Sequence, residues 1–172
     1  MKRMPETLEP IGLVPLADGG HAVIDAADAE FLSILRWYRK RQRPPHNRTD
    51  YAWANLPGGG KISMHKLLTG LGRAGQVDHD NGCGLDNRRC NLRAATGSQN
   101  CANQGSRGNK TGYKGVVYRP WAKGRPYSAY IRGGKSKRFL GAFATAQEAA
   151  LAYDIAALEL WGEFAFTNLL KD

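Results

Sequence analysis

Between Asn87 and Gln147 the sequence holds no carboxylate, although the chain has 15 Asp and Glu in all. Thirteen basic residues fall in that window: Arg88, Arg89, Arg93, Arg107, Lys110, Lys114, Arg119, Lys123, Arg125, Arg132, Lys135, Lys137 and Arg138. A solvated basic face ordinarily intersperses acids to limit self-repulsion. A stretch of 61 residues without one points to an anionic polymer as partner, nucleic acid first. A second acid-free run carries Arg36, Arg39, Lys40, Arg41, Arg43 and Arg48. The formal net charge is +10. The basic stretch lacks the helix-period amphipathicity of a membrane-surface segment. No run of about 18 apolar residues exists to span a bilayer. Met1 to Glu6 leads into no apolar core of a secretory signal, and three Cys make no disulfide framework. The expected compartment is a reducing cytoplasm.

At 172 residues the chain has room for one ordinary domain or two to three small ones. Ile11 to Leu16 and His21 to Ile24 read as strands around the turn Asp18-Gly19-Gly20. Asp25 is placed to cap a helix whose Ala27, Phe31 and Leu35 would form one buried stripe. Trp37 and Tyr38 lead into the basic run and the Pro44-Pro45 break. Tyr51 to Leu56 and Lys61 to Met64 flank Pro57-Gly58-Gly59-Gly60 as a hairpin, and Met64 to Leu68 opens a short helix ended by Gly70. Gln76-Val77 and Asn91 to Ala95 read as two strands around a loop rich in Asp, Asn and Gly, with a helix from Ser98. Gly105 to Gly112 reads as a basic linker.

The loop carries the chemistry. Asp78 and His79 end the first strand, Asn91 follows twelve residues after His79, and Asn100 twenty-one after it. Phosphodiester cleavage needs a base for the attacking water and a metal ion against the charge on the leaving oxygen. A carboxylate and one amide oxygen can hold a hard Mg²⁺ and leave positions open for phosphate and water. The segments Val77-Asp78-His79-Asp80-Asn81-Gly82, Leu85-Asp86-Asn87-Arg88-Arg89, Asn91-Leu92-Arg93 and Ser98-Gln99-Asn100 resemble the HNH homing-endonuclease motif, in its phage and prophage form. Met64-His65-Lys66-Leu67-Leu68 also fits that family. The resemblance implies a ββα-metal finger with Asp78 and Asn100 as metal ligands, His79 as general base, and Asn91 orienting the His79 ring. It implies Mg²⁺ or Mn²⁺ as cofactor and products with 5′-phosphate and 3′-hydroxyl ends. The third letter of the motif is Asn here rather than His. The competing reading is an Asx-rich structural loop in which His79 caps a turn. Zinc is not expected: Cys83, Cys90 and Cys101 form no CxxC pair, and recruiting His79 would sequester the base. His65 reads as a helix-start residue or a phosphate contact, and His21 and His46 as surface residues.

Residues 113–172 read as a separate module. Gly115 to Tyr118, Tyr127 to Ile131 and Arg138 to Leu140 are strand candidates with turns at Gly124 to Pro126 and Gly133-Gly134. Thr145-Ala146-Gln147-Glu148 is a capping box opening an Ala-rich helix with a stripe at Ala149, Ala152, Tyr153, Ala156 and Leu160, stopped by Gly162. Such a helix covers one face of a three-stranded sheet and leaves Arg, Lys and Trp on the other. Tyr113-Lys114-Gly115-Val116, Leu140-Gly141-Ala142-Phe143, Glu148 to Asp154 and Phe166-Thr167-Asn168 resemble the Apetala-two or ethylene-response-factor DNA-binding domain. That family places its sheet in the major groove. The resemblance implies DNA contacts by Lys114, Arg119, Trp121, Lys123, Arg132, Lys137 and Arg138. Arg119 and Arg132 suit guanine, and the lysines and Arg138 suit phosphates. Val117, Tyr130, Lys137 and Phe139 stand where plant members commonly carry Arg, Glu, Arg and Trp, so the plant GC-rich target does not transfer.

The expectation is therefore an α+β chain: an accessory segment at 1–60, an HNH unit at 61–104, a linker at 105–112 and a DNA-binding domain at 113–172. It would act as a metal-dependent DNA endonuclease on double-stranded DNA, as a monomer in the cytoplasm of a bacterial host or phage-infected cell, with no membrane and no protein partner implied. The alternative is a non-catalytic sequence-specific DNA-binding regulator with an inactive HNH unit.

Overall fold

The computed structural model describes residues 10–41, 49–72, 75–106, 108–134 and 136–170. Met1 to Glu6, Arg43, the Pro44-Pro45 break, His46, Arg48, Arg107 and Lys135 lie outside the described residues. The fold is mixed α+β, with several small antiparallel sheets and few helices. No described helix is long and apolar enough to cross a membrane. The chain divides into two compact units, Met1–Ala95 and Thr96–Asp172.

In the first unit, β1 (Ile11–Pro15) and β2 (His21–Asp25) form the expected hairpin. Val14, Ala22 and Ile24 face the core, while Ile11 and Leu13 stay exposed. The stripe expected at Ala27, Phe31 and Leu35 does not form. Residues Ala26–Asp28 wind as a 3-10 turn, and α1 (Ala29–Ser33) is only five residues long. The tighter winding shifts the helical phase, so Leu32 is buried while Ala27 and Phe31 face solvent. Asp25 makes no side-chain cap; its Oδ2 accepts the Arg89 N–H at 2.8 Å.

Trp37, fully buried, donates Nε1–H to the Leu32 carbonyl at 2.8 Å and starts β3 (Trp37–Lys40). β3 joins β4 (Tyr51–Asn55) and β5 (Lys61–Ser63) in one antiparallel sheet in the order β3-β4-β5. α2 (Met64–Thr69) follows and ends at Gly70 in the left-handed region, φ 66°. β6 (Gln76–His79) pairs antiparallel with β7 (Leu92–Ala95), setting Asp78 opposite Arg93. Asn91 sits at the end of a 3-10 turn immediately before β7 rather than on the strand. Val14, Leu16, Ala22, Ile24, Leu32, Trp37, Ala52, Ala54, Met64 and Leu68 make one core, with Leu85 of the loop and Leu92 of β7 packed against it.

The second unit opens with α3 (Gly97–Asn103), whose Thr96 cap and Gln99 form a capping box. β8 (Val116–Tyr118), β9 (Tyr127–Gly133) and β10 (Ser136–Phe143) form a sheet in the order β10-β9-β8. A register shift between Phe139 and Gly141 bulges β10. α4 (Ala146–Trp161) covers one face. Thr145 Oγ accepts the Glu148 N–H, while Glu148 Oε2 reaches the Ala144 N–H, one residue further back than a capping box requires. The buried side of α4 is Ala149, Ala150, Tyr153, Asp154, Ala156 and Ala157, and Leu160 of the expected stripe is exposed. Two polar devices close the unit. Asp154, fully buried, accepts the N–H groups of Asn168 and Leu169 at 2.7 Å each and the Asn168 amide at 3.0 Å. Asn168 Oδ1 in turn accepts the Lys114 N–H at 2.7 Å, and its Nδ2 donates to the Lys114 carbonyl at 3.1 Å. At Gly115, φ 78°, a Cβ would lie 2.1 Å from the Tyr153 ring, so helix and sheet meet through glycine backbone.

Candidate functional site

Each unit presents one constellation. In the first, β6 delivers Asp78 and His79, both buried, to the start of the loop. Asp78 Oδ2 accepts two hydrogen bonds from Arg93, Nε at 2.9 Å and Nη2 at 2.8 Å, and Arg93 Nη1 also pairs with Asp80 at 2.7 Å. His79 Nε2 lies 3.4 Å from Asn87 Oδ1. Its ring packs on Tyr51 and edge-on against His65, with centroids 5.6 and 5.1 Å away. Burial pushes the His79 imidazole below its ordinary value, while the Asn87 hydrogen bond, Asp78 and Asp86 pull the other way. Burial also lowers His65, with His79 and Lys66 adding repulsion, to about 3. Both rings are therefore neutral at neutral pH, the form in which an imidazole accepts a proton.

The loop is held by its own amides. Asn91 Oδ1 accepts the Asn81 N–H at 2.9 Å, and Asn91 Nδ2 donates to the Asp86 carbonyl at 2.7 Å. Asp86 takes Arg88 Nε and Nη2 at 2.9 and 2.7 Å and Asn81 Nδ2 at 2.8 Å. The Arg88 guanidinium holds the Asp86 carboxyl below the usual carboxylate range. β2 fastens the same loop from outside: Val23 N–H donates to Leu85 O at 2.8 Å, and Asn87 N–H donates to Val23 O at 2.7 Å. Arg89 adds a side-on clamp to Asp28 at 3.0 and 2.7 Å. Gly84 passes so close to Tyr51 that a Cβ would sit 2.6 Å from its ring. Asn87, which the sequence reading did not single out, thus places its amide oxygen against the His79 ring, and Asn91 ties the loop; the sequence signal for Asn87 was its place in Asp86-Asn87-Arg88. Tyr51, too, escaped notice, because it lies 28 positions upstream of His79.

Among the described residues, His65 Nδ1 and Asn87 Nδ2 are buried and meet no hydrogen-bond partner. Asn100 lies on α3, in the second unit. Among the described residues no three His, Cys, Asp or Glu side chains gather into a metal cluster, and Cys83, Cys90 and Cys101 are exposed thiols. A hard dication is answered by oxygen donors, and the Asp78 carboxylate beside His79 supplies that chemistry, with Arg93 bonded to the same carboxylate.

In the second unit the strand register sorts the expected contact residues. Val116, Ala129 and Ile131 pack toward α4. Val117, Ser128, Tyr130, Arg132, Lys137, Phe139 and Ala142 share the opposite face. Arg119 joins it through its Nη2 bond to the Tyr130 hydroxyl, with the guanidinium 5.7 Å from the ring centre. Lys137 Nζ stands 4.0 Å over the same ring, and Phe139 packs on it at 5.2 Å. Trp121 and Lys123 are exposed in the β8–β9 connection, and Arg138 is exposed in the register of the helix-covered face. Lys114 is placed differently: its ammonium donates to the Cys101 and Ala102 carbonyls at the end of α3 and stands 5.5 Å over Phe166.

No family model matches the sequence, and no solved structure does. The chain is 49% identical over 65 residues to Ethylene-responsive transcription factor ERF069 of Arabidopsis thaliana, covering 35% of this chain and 39% of the relative. It is 51% identical over 59 residues to Dehydration-responsive element-binding protein 2E of Oryza sativa subsp. japonica, 33% of this chain and 18% of the relative. It is 30% identical over 115 residues to Uncharacterized HNH endonuclease L560 of Acanthamoeba polyphaga mimivirus, 63% of this chain and 58% of the relative. In each case the match spans less than two thirds of the relative's length.

Proposed function

We propose that this chain is a metal-dependent DNA endonuclease of the HNH homing type, directed to duplex DNA by the open sheet face of its second unit. The observation that carries the reading is the buried His79 beside Asp78, held in a loop braced by Asn81, Asp86, Asn87 and Asn91. The likeness to a protein named as an HNH endonuclease supports the nuclease half, and the two plant relatives named as a transcription factor and an element-binding protein support the DNA-binding half. With Asn87 Oδ1 accepting from His79 Nε2–H, the basic nitrogen is Nδ1, which takes the proton from an attacking water. Asp78 would be an oxygen donor to Mg²⁺ or Mn²⁺, which would supply stabilisation of negative charge on the phosphate. Arg93 pairs with Asp78 and orients its carboxylate. Arg119, Arg132 and Lys137, with Trp121 and Lys123 beside them, are the contacts to bases and phosphates.

One observation favours the second reading, a DNA-binding regulator without catalysis: the two Arg93 hydrogen bonds already on the Asp78 carboxylate. Supercoiled-plasmid nicking in Mg²⁺ or Mn²⁺ separates the two. Nicking by the wild type that His79→Ala abolishes is expected of the nuclease. Intact plasmid with both proteins, while both still retard DNA in a gel, selects the regulator.

A further inference from the structure

We infer that the open face of the β8–β9–β10 sheet reads thymine methyl groups through Val117 and Phe139, so that its duplex target carries thymine together with guanine. The inference rests on the proposal that this face enters the major groove of DNA. Its basis is the way that face divides its chemistry. Tyr130 is a hub: its hydroxyl holds Arg119, and its ring holds Lys137 and Phe139. Arg132 stands opposite Lys137 at one end of the sheet. Val117 lies across from Ser128, which lies across from Ala142, at the other. Side chains on one face repeat every second residue, about 7 Å apart, so the Arg132 and Val117 rows are separated by roughly 13 Å, or about four base-pair steps of roughly 3.4 Å.

Val117 is 43% exposed and Phe139 56% exposed, although the same face carries cations. No carboxylate between Asn87 and Gln147 offsets those cations, so the complement of the face is polyanionic. On a groove floor the positively charged side chains have guanine N7 and O6 to meet. An apolar side chain pressed on a guanine or cytosine edge strips water from donors and acceptors without replacing it. The C5-methyl of thymine is the apolar group that the major groove offers, and a valine or phenylalanine edge buries it. Two apolar side chains on the reading face therefore call for thymine at the base pairs they cover. The methyl of Ala142 extends the Val117 row.

The test uses the full chain, with EDTA to withhold divalent metal, and a pool of short random-sequence DNA duplexes. After enrichment of the bound fraction, the best duplex is resynthesised with deoxyuridine in place of thymidine at one position at a time, which removes only the methyl. The expected result is a three- to fivefold loss of affinity at one or more positions, the size of about one buried methyl. The loss at one such position should vanish in Val117→Ala but persist in Val117→Thr, which keeps a methyl, and the loss at another should vanish in Phe139→Ala. Both side chains are exposed, so the variants should unfold at the wild-type temperature, which is checked first. Enrichment of duplexes with only G·C pairs, or uracil substitution without effect at every position, overturns the inference and leaves DNA binding standing. Equal uracil effects in wild type, Val117→Ala and Phe139→Ala also overturn it. Failure to retain any duplex at low salt overturns the reading on which it rests.

Discussion

His79 depends on a residue that no pattern of spacing emphasises. Its ring nitrogen faces Asn87, an amide with 0% exposure, and Asn91 spends both ends of its own amide on Asn81 and Asp86. Removing the two should therefore do different damage. Asn87→Ala should slow plasmid nicking about ten- to a hundredfold, the usual cost of losing a group that orients a catalytic ligand or base, with little change in DNA affinity. Asn91→Ala should show first as a lowered unfolding midpoint, because it frees the loop backbone. Parallel urea titrations and nicking rates separate them; equal loss of rate and unchanged stability in both variants would return the orienting role to Asn91. The sequence made His79 and Asp78 legible because they are adjacent and motif-bound. It could not make the Asn87 or Tyr51 contact legible, since both depend on how a loop closes over a distant strand.

At the scale of elements, local rules worked where the pattern was long and failed where it was short. α4 has sixteen residues, a capped start and a glycine stop, and its extent is readable from those signals. Its buried side is not fully so: Ala152 is half-buried against the core, Leu160 reaches only Gly133 at the end of β9 and stays largely exposed, and the fully buried Asp154 takes a core position. The α1 stripe failed for a related reason, a 3-10 turn that rephases five residues. Asp154 carries an element-level consequence. It is the acceptor that ties the segment after α4, through Asn168, to Lys114 before β8. Asp154→Ala removes the acceptor of the Asn168 and Leu169 N–H groups, leaving Asn168 Nδ2 only the Lys114 carbonyl, and should cost roughly 3 kcal/mol. Asp154→Asn, which keeps one acceptor oxygen, should cost about half as much. Urea unfolding followed by far-ultraviolet circular dichroism reads both, and a loss under about 1 kcal/mol in Asp154→Ala would mean that solvent replaces the carboxylate.

Across the whole molecule the charge is segregated rather than balanced, and the structure shows where its acids went. In the first unit Asp18, Asp28, Asp78, Asp80 and Asp86 are each paired with an arginine. Those pairs hold loops and hairpins together, so they do not dilute the positive face of the second unit. If that face and its neighbours neutralise about six phosphates, affinity for duplex DNA should fall by about a thousandfold between about 50 and 200 mM salt. A filter-binding series in sodium chloride measures it, and a flat response would mean that the acid-free stretch is not a phosphate contact. The composition alone pointed to a polyanion. Lys114 corrects the finer picture drawn from it, since an ammonium turned onto the carbonyls of α3 is a fastening of the fold.

The contact of β2 with the loop has a bearing on when this protein becomes able to act. Val23 and Asn87 are 64 positions apart, yet two backbone hydrogen bonds join that strand to the segment carrying Asn87. Pairings across such a separation pay a large closure entropy and form late, after local hairpins are made. A nascent or half-folded chain can thus have β6 and β7 paired while Asn87 is still unfixed and His79 unheld. On the nuclease reading proposed above, the holding of His79 would be among the last steps of folding, and an immature chain would lack the fixed base that cleavage needs.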